Sequence, residues 1–218
     1  MKKIRNKIIY LLLVFNVIPF FSISQNNDFQ IWSSIRLNQK IFKRTNISIK
    51  EGFRFRENSR YLDKSFTDFK LTHRIKKTDI IISTGYRFSN NRTLDFNSNY
   101  INRFYIDFSH RYKFQRLKIS IRNRVQYQGL YRNYKTNYRQ KTEIAYNIRK
   151  NPLDPYFQFE AFINVDDIMF EKFRYTAGFS YPLSKGINSS IFYRIQTVIN
   201  DQLPSYIYIM GTSISYKL

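Results

Sequence analysis

The sequence predicts an all-β fold, a closed antiparallel transmembrane β-barrel of 10 to 12 strands. Three observations carry that expectation: apolar and polar residues alternate in one segment after another, the segments are long, and tyrosines recur near segment ends. Successive side chains of an extended chain point to opposite faces, so a period of two sorts residues into two chemically distinct surfaces. Leu117, Ile119, Ile121, Val125 and Tyr127 fall on one face, and Lys118, Ser120, Arg122, Arg124, Gln126 and Gln128 on the other. Strands of soluble sheets run about 5 to 6 residues, whereas membrane-spanning strands need roughly 9 to 11, and most segments here are of the longer kind.

The chain of 218 residues begins with a secretory signal peptide. Lys2, Lys3, Arg5 and Lys7 precede the apolar run Ile8 to Phe21, and Ser22 and Ser24 flank Ile23 in a small-x-small site, with cleavage expected after Ser24. An uncleaved anchor helix is disfavoured, because the run is short for a span of about 20 residues and Pro19 interrupts it. Residues 1–24 are thus signal peptide and residues 25–218 one outer-membrane barrel domain, since nothing after the signal looks like a domain boundary.

Alternation then marks Phe29 to Asn38, Thr45 to Arg56, Lys64 to Ile75, Asp79 to Phe88, Asn99 to Tyr112 and Leu117 to Gln128. It continues at Lys135 to Ile148, Pro155 to Val165, Glu171 to Pro182, Ile187 to Val198 and Ser205 to Leu218. Linkers such as Lys76-Lys77 and Ser184-Lys185-Gly186 are short and polar. Tyr100, Tyr112, Tyr127, Tyr181 and Tyr206 lie near segment ends, where aromatic girdles of a membrane barrel belong. Lipid forbids open sheet edges, so strands span a bilayer only in a closed barrel. The last segment suits closure: Ile214, Tyr216 and Leu218 alternate to the C-terminus, as in the terminal signal of outer-membrane barrels. Eleven segments conflict with the even strand number usual in bacterial barrels. Either the first segment is not a standard barrel strand or one strand is hidden. A soluble exported β-sandwich, with its basic faces solvated, gives the same alternation and is the alternative fold.

Thirty-seven lysines and arginines face 15 acidic residues, a formal charge of +22. Such a balance points to nucleic acid or to anionic membranes, and export argues against nucleic acid. The expected partners are outer-membrane lipids, lipopolysaccharide and small anionic solutes. The absence of cysteine excludes a lipoprotein anchor, disulfides and zinc–cysteinate chemistry. No cofactor is expected.

Several phrases resemble domain-of-unknown-function family 2490. They are Asn123-Arg124-Val125-Gln126-Tyr127, Asp154-Pro155-Tyr156-Phe157 leading to Glu160, Phe173-Arg174-Tyr175-Thr176-Ala177-Gly178 and Phe192-Tyr193-Arg194-Ile195-Gln196. Ile31-Trp32 and Gly85-Tyr86-Arg87-Phe88 fit as well, so the resemblance covers most of the mature chain. It implies an outer-membrane barrel of a kind frequent in Bacteroidota, without an established activity and without functional residues to carry over.

His73 and His110 lack metal-ligand spacing with a second strong ligand. Alternation puts Ser109 and His110 on opposite faces, so they do not form a nucleophile and base within one regular strand. An outer-membrane lipid-modifying enzyme, completed from another strand, is the alternative to a non-catalytic protein. The basic face is the sharper candidate. With apolar residues outward, the inward set includes Arg36, Arg54, Arg56, Lys70, Arg74, Arg87, Arg103, Arg111, Lys118, Arg122, Arg124, Arg139, Lys141, Arg149, Arg174 and Arg194. Asp68, Asp107, Glu143 and Glu160 share that face. Arg103, Arg122, Arg124, Arg174 and Arg194 are the candidate lumen residues for function. Small barrels fill their interiors and buried charges must be paired, so these residues form either an ion-paired plug or a wet, porin-like passage that prefers anions. The expected role is structural or small-solute permeation.

Overall fold

A computed structural model describes residues 28–93, 97–131, 133–199 and 205–218. The expected signal peptide lies outside them. All eleven alternating segments are strands: β1 (Asp28–Phe42), β2 (Thr45–Arg56), β3 (Tyr61–Arg74), β4 (Ile80–Arg92), β5 (Ser98–Phe114) and β6 (Leu117–Leu130). They continue as β7 (Asn133–Tyr146), β8 (Asp154–Asn164), β9 (Met169–Ser184), β10 (Ile187–Val198) and β11 (Ser205–Lys217). Each runs 11 to 17 residues, long enough for a tilted crossing of a bilayer.

Consecutive strands pair antiparallel as hairpins, and the sheet closes on itself through β1 and β11. That last pair is parallel, in register from Asp28 opposite Ile207 to Asn38 opposite Lys217. Closure is therefore mixed, where sequence alone suggests an antiparallel barrel throughout. The difference also resolves the parity conflict: an odd number of hairpin-linked strands ends with its last strand pointing the same way as its first, so only a parallel seam closes it. The barrel has a rim at Asp28 and an opposite rim at Lys217.

The outer wall is apolar. Ile35, Phe53, Phe69, Phe104, Ile106, Val125, Phe157, Phe179 and Ile191 all point away from the lumen and are exposed on the isolated chain. An apolar surface of this extent, wrapped around every strand, is a lipid-facing surface. Aromatic rings gather toward the two rims. Phe88 stacks on Tyr100 at 5.5 Å and Tyr127 on Tyr134 at 4.7 Å on the Asp28 side. Tyr112, Tyr181 and Tyr216 stand exposed on the Lys217 side.

Inside, glycines make room for rings. Gly52 lies directly opposite Phe66, and Gly211 directly opposite Phe192. A β-carbon on either glycine would run into the partner ring. The same arrangement sets Tyr105 over Gly85. These pairings let large side chains lie along the wall instead of blocking the bore.

Candidate functional site

Cross-strand register assembles the lumen charges, because residues directly opposite each other on one face are neighbours. Asp68 faces Arg87, Asp107 faces Arg124 and Glu160 faces Arg174. Each carboxylate collects more than one donor. Arg124 donates to both oxygens of Asp107, and Lys70 reaches the same carboxylate at 2.9 Å. Glu160 accepts from Arg122 at 3.1 Å and from Arg139, with Arg174 at 3.7 Å. Asp68 accepts from Arg87 and from the Tyr105 hydroxyl, both at 2.7 Å. Lys141 pairs with Glu143 at 2.7 Å.

Carboxylates run out before cations do. Register also sets like charges face to face: Arg54 opposite Lys64, Arg87 opposite Arg103, and Arg124 opposite Arg139. Among the described residues, Lys50, Arg54, Lys64, Arg103, Lys172 and Arg194 have no carboxylate within ion-pair distance. Aromatic faces take the place of the missing acids. The Arg54 guanidinium lies 3.8 Å from the Trp32 ring centre, with Arg174 and Arg194 each at 5.2 Å. Phe66 carries Arg87 at 4.0 Å, Arg54 at 5.5 Å and Lys50 at 5.9 Å. Phe162 carries Arg139 and Arg174 at 4.6 Å and Lys172 at 5.1 Å. A cation near a ring face gains about 0.5–2 kcal/mol, enough to space guanidiniums but too little to neutralise them.

These side chains line a cavity of about 1120 Å³ that is bounded by Asp79, Lys113 and Lys118 toward one rim and by Lys64, Asn91 and Glu171 toward the other. All five candidate lumen residues point into it. Arg122, Arg124 and Arg174 are tied into the carboxylate networks. Arg103 donates to Gln128 at 2.8 Å, and Arg194 to the Thr176 hydroxyl at 2.8 Å. Arg149, read from the sequence as inward, instead lies in the β7–β8 turn. Sequence reasoning missed Lys50, Lys64 and Lys172, although Lys50 and Lys172 share parity with Arg54 and Arg174. It also missed the inward rings Trp32, Phe66 and Phe162, because apolar side chains were assigned outward. Ser109 lines the cavity whereas His110 is exposed on the outer wall. Among the described residues, His73 hydrogen-bonds the Thr45 hydroxyl, at 2.9 Å.

An apolar outer wall around a charged, partly open interior defines this chain as a transmembrane β-barrel protein. The chain belongs to the family described as protein of unknown function (DUF2490), whose model matches residues 29–203. Comparison with curated proteins finds no match. Among solved structures, the chain is similar to OmpT, an outer membrane protein of Vibrio cholerae in an in-vitro folded trimer form. The identity is 9%, the alignment covers 71% of this chain and 54% of that protein, and the TM-score is 0.39. The chain thus spans about half the length of that protein.

Proposed function

We propose that this chain is an integral outer-membrane barrel, exported by its signal segment, that passes small anionic solutes and performs no catalysis. The observation that carries the reading is the set of lumen cations without carboxylate partners around a cavity of about 1120 Å³. A dry unpaired guanidinium costs several kcal/mol, so a surplus of this size requires water and counter-anions in the bore. Tracks of Arg and Lys select for anions and phosphates.

The lipid partners follow from the outside of the barrel. Aromatic side chains suit the headgroup level on both sides. The turns of the Lys217 rim, Lys43-Arg44, Lys76-Lys77, Gln115-Arg116 and Lys185-Gly186, present cations to the phosphates of outer-membrane lipids or lipopolysaccharide.

Reconstitution into planar lipid bilayers tests the reading. The expected result is a small, stable conductance whose reversal potential in a salt gradient shows anion preference. Cation preference overturns the arginine-track reading, and a folded barrel without conductance overturns permeation.

A further inference from the structure

We propose that Trp32, Arg54, Arg174 and Arg194 form a fixed binding site for a compact polyanion, an oxyanion carrying two or more negative charges such as a diphosphate. The inference rests on the reading of the lumen as anion-preferring and goes beyond it: a selective passage needs only a favourable potential, whereas this arrangement is built to hold a ligand in one place.

Three features make it a site. First, the guanidiniums are each held at one edge or face and only partly engaged beyond it: of the three, only Arg174 meets a carboxylate among the described residues, Glu160 at 3.7 Å. Arg194 donates its Nε–H to Thr176 and Arg174 donates its Nε–H to Gln196 at 2.7 Å. Arg54 lies over the indole, its Cζ 3.8 Å from the ring centre, and makes no hydrogen bond among the described residues. An arginine anchored through Nε keeps its terminal N–H groups for a bidentate contact with an oxyanion.

Second, the platform is rigid. The Trp32 indole N–H donates to Gln30 at 2.9 Å, and the Gln30 amide in turn donates to Asp28 at 2.7 Å. Gly211 lies directly across the parallel seam from Trp32, and the Phe192 ring occupies the space over that glycine. The indole is buried on the lumen side of the wall, and its orientation fixes where the three cations meet.

Third, the charges converge. Arg54 and Arg174 each lie within electrostatic reach of Arg194 and Arg139, and Lys64 sits directly across from Arg54. Glu160 meets Arg174 of this group at 3.7 Å, but its charge is shared with Arg122 and Arg139 as well. A monovalent anion leaves most of this convergence uncompensated. A ligand with several charged oxygens matches three forks at once.

Trp32 is the only tryptophan of the chain, so its emission reports the site directly. The experiment titrates inorganic pyrophosphate into the detergent-folded full mature barrel and compares sodium chloride and acetate at matched ionic strength. We expect a saturable change in Trp32 emission with pyrophosphate alone. Arg54→Gln and Arg194→Gln should each weaken the apparent affinity at least tenfold, whereas Lys150→Ala, exposed in the β7–β8 turn, should leave it unchanged. Heat-modifiable migration verifies that each variant has folded, and two variants keep the test usable if one does not. No saturable change, an equal response to chloride, or full affinity in both folded variants overturns the site. Bilayer recordings are read separately: anion selectivity without pyrophosphate binding rejects the site and leaves the permeation reading standing. Binding in a barrel that never conducts retains the site and rejects permeation.

Discussion

Arg124 and Asp107 stand directly opposite each other on β6 and β5, and the guanidinium grips both carboxylate oxygens, Nε at 2.6 Å and Nη2 at 2.9 Å. Asp107 is fully buried and also binds Lys70. Removing one partner of a buried pair strands the other charge, at a cost of about 3–5 kcal/mol. Asp107→Asn is therefore expected to lower the unfolding free energy of the detergent-folded barrel by an amount in that range, seen as a lower urea midpoint by heat-modifiable migration. Because the two residues act as a unit, Asp107→Asn with Arg124→Gln should cost less than the two single changes added together.

Glu160 offsets three guanidiniums in mid-lumen, those of Arg122, Arg139 and Arg174. Glu160→Gln removes that charge while keeping the size of the side chain. In planar bilayers the ratio of anion to cation permeability should rise relative to the parent barrel. A ratio that stays the same would show that these side chains do not control the ion path.

Gly52 gives the Phe66 ring its place on the inner wall. Gly52→Val should drive the ring off its position at about 1–3 kcal/mol, the usual cost of overpacking. Combining it with Phe66→Ala should recover part of the loss, because the colliding ring is gone. Urea midpoints of the two single variants and the double variant measure both effects.

The outer wall yields a depth-dependent expectation. Ile106 lies at the middle of β5 and Phe114 at its end, both exposed and apolar. An arginine at the bilayer midplane costs about 2–4 kcal/mol and near the interface about 0–1 kcal/mol. Ile106→Arg should thus destabilise the barrel in lipid vesicles far more than Phe114→Arg. Equal effects would argue that this wall does not meet lipid.

Most of the fold was legible because alternation survives wherever one face must be apolar. Ile119, Ile121 and Val125 could not be moved by one residue without turning Arg122 and Arg124 outward. The closing pair was not legible. Whether β1 meets β11 parallel or a hidden strand intervenes depends on partners 179 positions apart, and local periodicity carries no information about that. The five candidate arginines were placed in the lumen by the same alternation, but their partners were not, since pairing depends on register and barrel shear together. The largest omission was the set of inward rings. Trp32, Phe66 and Phe162 break the apolar-outward rule because a guanidinium-rich interior favours aromatic faces over empty space, a preference that appears only once the cations have been placed around them.

The parallel seam has one more consequence, which concerns sidedness. Hairpins reverse direction at every step, so eleven strands carry the chain from one side of the membrane to the other, and Asp28 and Leu218 lie at opposite rims. An even-stranded barrel keeps both ends of its strand array in one compartment. Here an epitope fused ahead of Asp28 and another fused after Leu218 face different compartments, and antibody labelling of intact cells should reach one and not the other. One end of the strand array must therefore cross the bilayer during insertion, a translocation step that a barrel with both ends on the side of entry does not require.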